Sequence, residues 1–322
     1  MLALFPVHRP RLGLSFSAEA LSVVEIRRPW FAKPRVRRIS DRPLLPGLLR
    51  PSASELNMAD PEVVAHEVRM LKGSAGVAPV AVSLPDRCAQ IILCEFETLP
   101  PAKADREALL RWRLQKELNA SAATLRLAYR VFGGPGSRAG ARVPGAGGHR
   151  VLVAAIRPDI LAQYEQVCAA AGLLPVSVGF ATLQLFDLWR SVMTPAEELF
   201  FVHRSYEHVA FLAVRGARPV FLRLKPTRCA TADLAAALIG TVQFYEDQYP
   251  RPSEGTDAGT TPLFLLDGTE GPATESPAAK PVLDPVRWVD VVHPDRQALA
   301  IRGLPSVLSS AGWSALASVM AM

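Results

Sequence analysis

Leu12 to Arg27 constrains this chain more than any other stretch. Two apolar blocks, Leu12 to Phe16 and Leu21 to Ile26, flank a short polar bend at Ser17 to Ala20. The pattern predicts a β-hairpin with Gly13 inside its first strand. A second hairpin is expected further on, from Leu199 to Val202 and Val209 to Val214, with a third strand at Val220 to Leu224.

Between and after these hairpins the signals alternate. A helix is predicted after the N-cap Asp60 and Pro61, with Val64, Val68 and Leu71 on one face and Gly73 as its stop. Apolar strands follow at Val77 to Leu84 and Gln90 to Phe96. A helix then places Leu110, Leu114 and Leu118 four residues apart, and Leu125 to Phe132 and Val151 to Ile156 read as strands. Gly133 to Gly148 reads as a hairpin loop, since a strand and not a helix N-terminus follows its glycines. Helices are also expected at Asp159 to Ala171, Thr182 to Val192 and Ala232 to Tyr249, with extended chain at Pro175 to Val178 and Leu263 to Leu266.

The 322 residues, 49% of them apolar, suffice for two packed domains or one large lobed one. The net charge of +6 is concentrated in one dense run: Arg27, Arg28, Lys33, Arg35, Arg37, Arg38 and Arg42. It reads as a solvated hairpin rim, with contact to anionic lipid as the functional alternative and nucleic acid disfavoured. Cys88, Cys94, Cys168 and Cys229 have no metal spacing, which favours a reducing compartment. Gly303 to Met322 is uncharged but diluted by serines and Pro305, so a buried terminal helix is expected rather than a membrane span. No leader peptide is read at the N-terminus. His203 and His208 read as surface turn residues, not as a metal pair.

The opening block resembles the first hairpin of actin-like ATPases, most closely the PilM family of type IV pilus assembly proteins. Gly13, Leu14, Val23, Val24 and Glu25 keep the shell of that motif. Its Asp falls on Ser15, its turn Gly on Ser17 and its Lys on Ser22. Ala171 to Val178 resembles the family's "Ala-Ala-Gly-Leu-Lys-Pro-Val-Ala-Val-Asp", with Gly179 at the Asp. Val242 to Tyr245 resembles "Leu-Gln-Phe-Tyr". Pro219, Phe221 and Arg223 fit the tail of the second phosphate loop, which puts His203 on that loop's Asp and Ser205 on its Gly. Asp267 to Gly271 stands at the adenosine loop, retaining Gly268 and Gly271.

The resemblance implies an α/β, actin-like (ribonuclease H-like) two-lobed fold with an inserted small α+β subdomain. Residues 1–98 would form the first lobe, 99–178 the insert, 179–196 the return, and 197–322 the second lobe, with the terminal helix packing back on the first. The lost groups matter physically. A turn glycine lets backbone approach phosphate, a carboxylate holds the hydrated metal, and a Lys adds fixed positive charge. The resemblance therefore implies a pseudo-ATPase with no catalytic residue, metal or cofactor, ATP and magnesium being disfavoured. It further implies a cytoplasmic scaffold held at the inner membrane by the cytoplasmic tail of a bitopic PilN-like protein, alongside pilus motor platform components. Two alternatives stand beside it. One is an active ATPase or kinase of the same fold, with Glu19 or Glu25 replacing the Asp. The other is the cytoplasmic domain of a GspL-like type II secretion protein.

Overall fold

The computed structural model describes residues 9–29, 32–73, 76–118, 124–132, 148–193, 197–206, 208–216, 218–226, 231–249, 260–267, 289–292, 295–305 and 308–321. In chain order the first elements are β1 (Leu12–Phe16), β2 (Ala20–Arg27), β3 (Arg35–Pro43), α1 (Pro61–Lys72), β4 (Ala78–Leu84) and β5 (Gln90–Phe96). Next come α2 (Lys103–Leu118), β6 (Arg126–Phe132), β7 (His149–Ile156), α3 (Pro158–Ala170), β8 (Leu173–Phe180) and α4 (Ala181–Trp189). The rest are β9 (Glu198–Arg204), β10 (His208–Arg215), β11 (Arg218–Pro226), α5 (Thr231–Gln248), β12 (Thr261–Asp267), β13 (Val289–Val292) and α6 (Ser310–Met320). The chain divides into two compact units: Met1–Cys88 with Pro158–Val192 and Asp295–Met322, and Ala89–Arg157 with Met193–Pro294.

The first unit is built on a five-stranded sheet of order β3-β2-β1-β4-β8. β1, β2 and β3 pair antiparallel as a meander, while β4 and β8 join parallel to β1. Leu14, Leu21, Val24, Val80 and Leu84 are fully buried in it, as expected for a central sheet covered on both faces. α1 starts where Asp60 Oδ1 accepts from the amides of Glu62 (3.0 Å) and Val63 (3.1 Å), and it ends at Gly73 with φ 74°. It packs with α3, whose Tyr164 meets Phe16 edge-on at 5.0 Å.

α6 takes the opposite face. Its residues Ala311 to Val319 are all buried, against β1, β2, β4 and α4, and Trp313 lies 5.1 Å from Trp189. An uncharged helix apolar all round belongs inside a protein of this kind. Among the described residues no helix is long and apolar enough to cross a membrane.

The second unit repeats the first sheet's plan in β11-β10-β9-β12-β13. Again three antiparallel strands are followed by two parallel ones. α5 packs on β10 and β11, and Leu234, Leu238, Val242 and Tyr245 fill the core with Phe200 and Phe211. This duplicated order is that of the actin-like fold. A smaller antiparallel sheet, β5-β7-β6, with Leu110 and Leu114 of α2 in its core, completes the unit.

Three expectations change here. Arg35 to Pro43 is a strand, not a rim: β3 pairs along β2, and as an edge strand it tolerates charge where only Val36 is buried. The insert was expected over 99–178, but β5 belongs to the small sheet through β7. β8 belongs to the first sheet, because it pairs with β4, and α3 belongs to the first unit with it. The insert's edges therefore fall at Ala89 and Arg157. β13 also has no counterpart in the sequence reading. The loop 133–147, Cys229, Gly268 and Gly271 lie outside the described residues.

Candidate functional site

The two hairpins that the resemblance likens to phosphate loops close on a serine in the same way. At the first turn Ser17 N donates to Ala20 O (3.0 Å), Ser17 Oγ donates to the same oxygen (2.9 Å), and Ala20 N donates back to Ser17 Oγ (3.0 Å). At the second, Ser205 N donates to His208 O (2.9 Å), Ser205 Oγ donates to it (3.2 Å), and His208 N donates to Ser205 Oγ (3.2 Å). In each case the serine stands where the resemblance expects glycine. Its hydroxyl takes up a backbone N–H of the kind a phosphate cradle would leave pointing outward.

Ser15 and Ser22 sit in one row across the first sheet. Cross-strand register aligns Asp41, Ser22, Ser15, Ser83 and Gly179 on β3, β2, β1, β4 and β8. Ser22 Oγ donates to Asp41 Oδ1 at 2.5 Å, so the row's carboxylate, exposed on the edge strand β3, is bonded to its neighbour in the row. Ser15 Oγ and Ser83 Oγ are buried and, among the described residues, have no hydrogen-bond partner. At Gly179, a Cβ would lie 2.2 Å from Nε2 of Gln184, whose amide donates to Val82 O (3.2 Å). Apart from Asp41, on the edge strand β3 and bonded to Ser22, the row offers neutral hydroxyls and an amide. Ser15, where the resemblance expects the acid, supplies no anionic oxygen of the kind that holds a hydrated divalent cation.

Neither Glu19 nor Glu25 stands at the position of Ser15, where the resemblance expects the acid. Glu19 lies in the turn, where burial raises its pKa against the opposing pull of its own backbone and Ser17. Glu25 faces Arg37 at 3.2 Å, at the other end of β2.

In the second sheet His203 and His208 are both buried, which corrects their reading as surface residues. His203 lies on β9, a central strand paired with β10 and β12, and His208 opens β10; their rings are perpendicular and 5.9 Å apart. His208 Nδ1 lies 2.8 Å from Ser205 Oγ. Next to them Arg204 and Asp267 form a buried ion pair, discussed below.

Sequence reasoning passed over Asp86. It is fully buried after β4 and accepts from Thr182 N (3.1 Å) and Thr182 Oγ1 (2.7 Å), capping the start of α4 from a distant segment. Only the Leu84-Pro85-Asp86 strand stop hinted at it.

The sequence matches no family model and no curated protein. Solved structures do share its fold. A chain of the PilM–PilN type IV pilus biogenesis complex is 18% identical, with 98% of each chain covered and a TM-score of 0.74. The cytoplasmic domain of EpsL, an inner-membrane component of the Vibrio cholerae type II secretion system, is 12% identical. It covers 97% of this chain and 94% of its own, with a TM-score of 0.49. A Bacteroides thetaiotaomicron protein of actin-like ATPase fold is 9% identical over 91% and 94% of the two chains, with a TM-score of 0.47. The first carries the conclusion that this chain has a PilM-type actin-like fold along nearly its whole length.

Proposed function

We propose that the chain is a non-catalytic actin-like scaffold of a type IV pilus or related secretion machine, seating the extended cytoplasmic tail of a PilN-like inner-membrane protein. The fold shared with a chain of the PilM–PilN complex supports the system and the partner class. The two serine-closed turns support loss of catalysis, because neither loop presents the acid or the open glycine turn that phosphoryl transfer needs.

The observation that carries the docking mode is β8. It is the edge strand of the first sheet, yet Leu174, Val176 and Val178 are 55%, 49% and 38% exposed. Natural edge strands are usually blunted by charge, and an apolar exposed edge is suited to strand addition. An incoming extended segment would gain main-chain hydrogen bonds from the edge and bury alternate side chains against this row.

The test uses a synthetic peptide from the cytoplasmic N-terminus of the PilN-like protein encoded beside this chain. We expect micromolar affinity, about 8 kcal/mol, and roughly tenfold weakening by Val176→Asp. Binding unaffected by that substitution would remove β8 as the seat, and no binding at all would remove the partner class. ATP with magnesium should leave the melting temperature unchanged. A dose-dependent rise would remove the non-catalytic reading.

A further inference from the structure

The arginine run of the first unit does two separate jobs. Arg38 donates to Lys72 O (2.9 Å) and Arg42 pairs with Glu67, so these two tie β3 to α1. Arg27, Arg28, Arg35 and Arg37 line a cavity of about 660 Å³ at the far end of the sheet from the Ser17 turn. Arg11 precedes β1, Arg27 ends β2, Arg28 follows it, and Arg35 and Arg37 open β3.

This cavity is lined by five guanidinium groups against one carboxylate, Glu25. Glu25 pairs with Arg37, while Arg28 donates to backbone oxygens of Pro10 (2.8 Å) and Val319. Among the described residues Arg11, Arg27 and Arg35 have no acidic partner. The charge is thus gathered and left unneutralised. Burial, and then neighbouring Arg9, lowers the pKa of Arg28, as expected where positive charge lacks a counterion.

The rim is held firmly. Val36 N donates to Arg302 O and Arg302 N to Pro34 O, both at 2.8 Å, so the start of β3 is clamped by the chain leading into α6. Ile26 and Val36, both buried, form the apolar floor.

Size and chemistry narrow the ligand. The volume falls within the range of small-molecule sites, and all the lining cations are Arg, whose planar fork binds phosphate oxygens in pairs. We propose that this pocket binds a phosphate-bearing group, either the headgroup of an anionic phospholipid or a soluble phosphorylated metabolite. The inference is independent of the tail-binding reading, since the pocket lies at β1, β2 and β3, while the tail is seated on the β8 edge at the other side of the sheet, and it rests on other residues.

The experiment uses the full chain and two triple variants with equal loss of charge. The pocket variant is Arg11→Gln, Arg27→Gln, Arg35→Gln; the control is Arg87→Gln, Lys116→Gln, Arg126→Gln. All six positions are exposed, and unchanged melting temperatures confirm folding. Probes are inorganic pyrophosphate, glycerol 3-phosphate, a Glu-rich peptide, and vesicles of phosphatidylcholine with or without phosphatidylglycerol. We expect saturable binding to pyrophosphate or to the phosphatidylglycerol vesicles. The pocket variant should weaken it about tenfold and the control by no more than about twofold.

Vesicle recruitment without binding of the soluble phosphates assigns the lipid source, and the reverse assigns a metabolite. Absence of saturable binding to every phosphate probe overturns the proposal. Equal losses in both variants, or tighter binding of the peptide than of pyrophosphate, would do the same.

Discussion

Arg204 and Asp267 stand opposite each other on the parallel strands β9 and β12 and form an ion pair of 2.8 Å with both side chains buried. Asp267 begins the segment expected to resemble an adenosine loop, and Arg204 lies between His203 and Ser205 of the second phosphate-loop hairpin. The two strand ends, which the resemblance likens to a phosphate loop and an adenosine loop, are engaged with each other.

The pair is one whose half-removal should be costly. Asp267→Asn removes the buried carboxylate charge that faces the Arg204 guanidinium, and we expect a loss of about 3–5 kcal/mol in the denaturant-extrapolated stability. Arg204→Leu combined with Asp267→Leu should recover most of that loss, because no buried charge remains. A single-variant loss below about 1 kcal/mol, within the range of exposed pairs, would show that the ion pair is not desolvated.

Gly13 should tolerate no side chain. A Cβ there would lie 2.0 Å from the backbone oxygen of Ala315, so α6 must move away from β1 to admit it. Gly13→Ala should cost about 1–3 kcal/mol, as overpacking of a filled interior does. Urea titration measures it, and a neutral result would mean α6 is not seated on β1.

Glu19 sets a pH dependence. Burial raises its folded-state pKa above the ordinary 4.5, so the folded chain holds this proton more readily than the unfolded chain. Stability from this site is therefore highest below the unfolded pKa and falls as pH rises through the folded one. Glu19→Gln should raise the melting temperature at about pH 7 and change it little at about pH 3.5. The opposite order would show the carboxylate to be stabilised in the turn.

Thiol reactivity reports the first unit's core. Burial pushes Cys168 up to about 12, with Glu165 adding to the effect, and burial also raises Cys94. At about pH 8 roughly one part in ten thousand of Cys168 is thiolate, the reactive form. Alkylation followed by peptide mass spectrometry should mark it only as fast as the chain unfolds. Labelling of Cys168 ahead of global unfolding would place that side chain outside the core.

Local signals carried the individual elements well. Alternating apolar blocks marked both hairpins, and Asp60, Pro61 and Gly73 marked the two ends of α1, because caps and strand periods act between near neighbours. β3 was missed because an edge strand needs few apolar residues, and its basic side chains hid the pairing with β2. The histidines were misplaced for a related reason. A polar bend looks exposed from sequence, and only the sheet around β9 shows His203 and His208 to be buried.

By itself, then, the order of residues determined the elements other than β3 and β13, the uncharged terminal helix, and the replacement of acids and glycines by Ser15, Ser17, Ser22 and Ser205. Tertiary structure decided what those serines do: two close their turns, one engages Asp41, and one lies buried with no partner among the described residues. It also decided that β8 leaves the insert for the first sheet and that five arginines converge on one cavity. The reason is physical. Strand order, register and burial arise from pairings between residues far apart in the chain, and a local pattern carries no record of which partner it will meet.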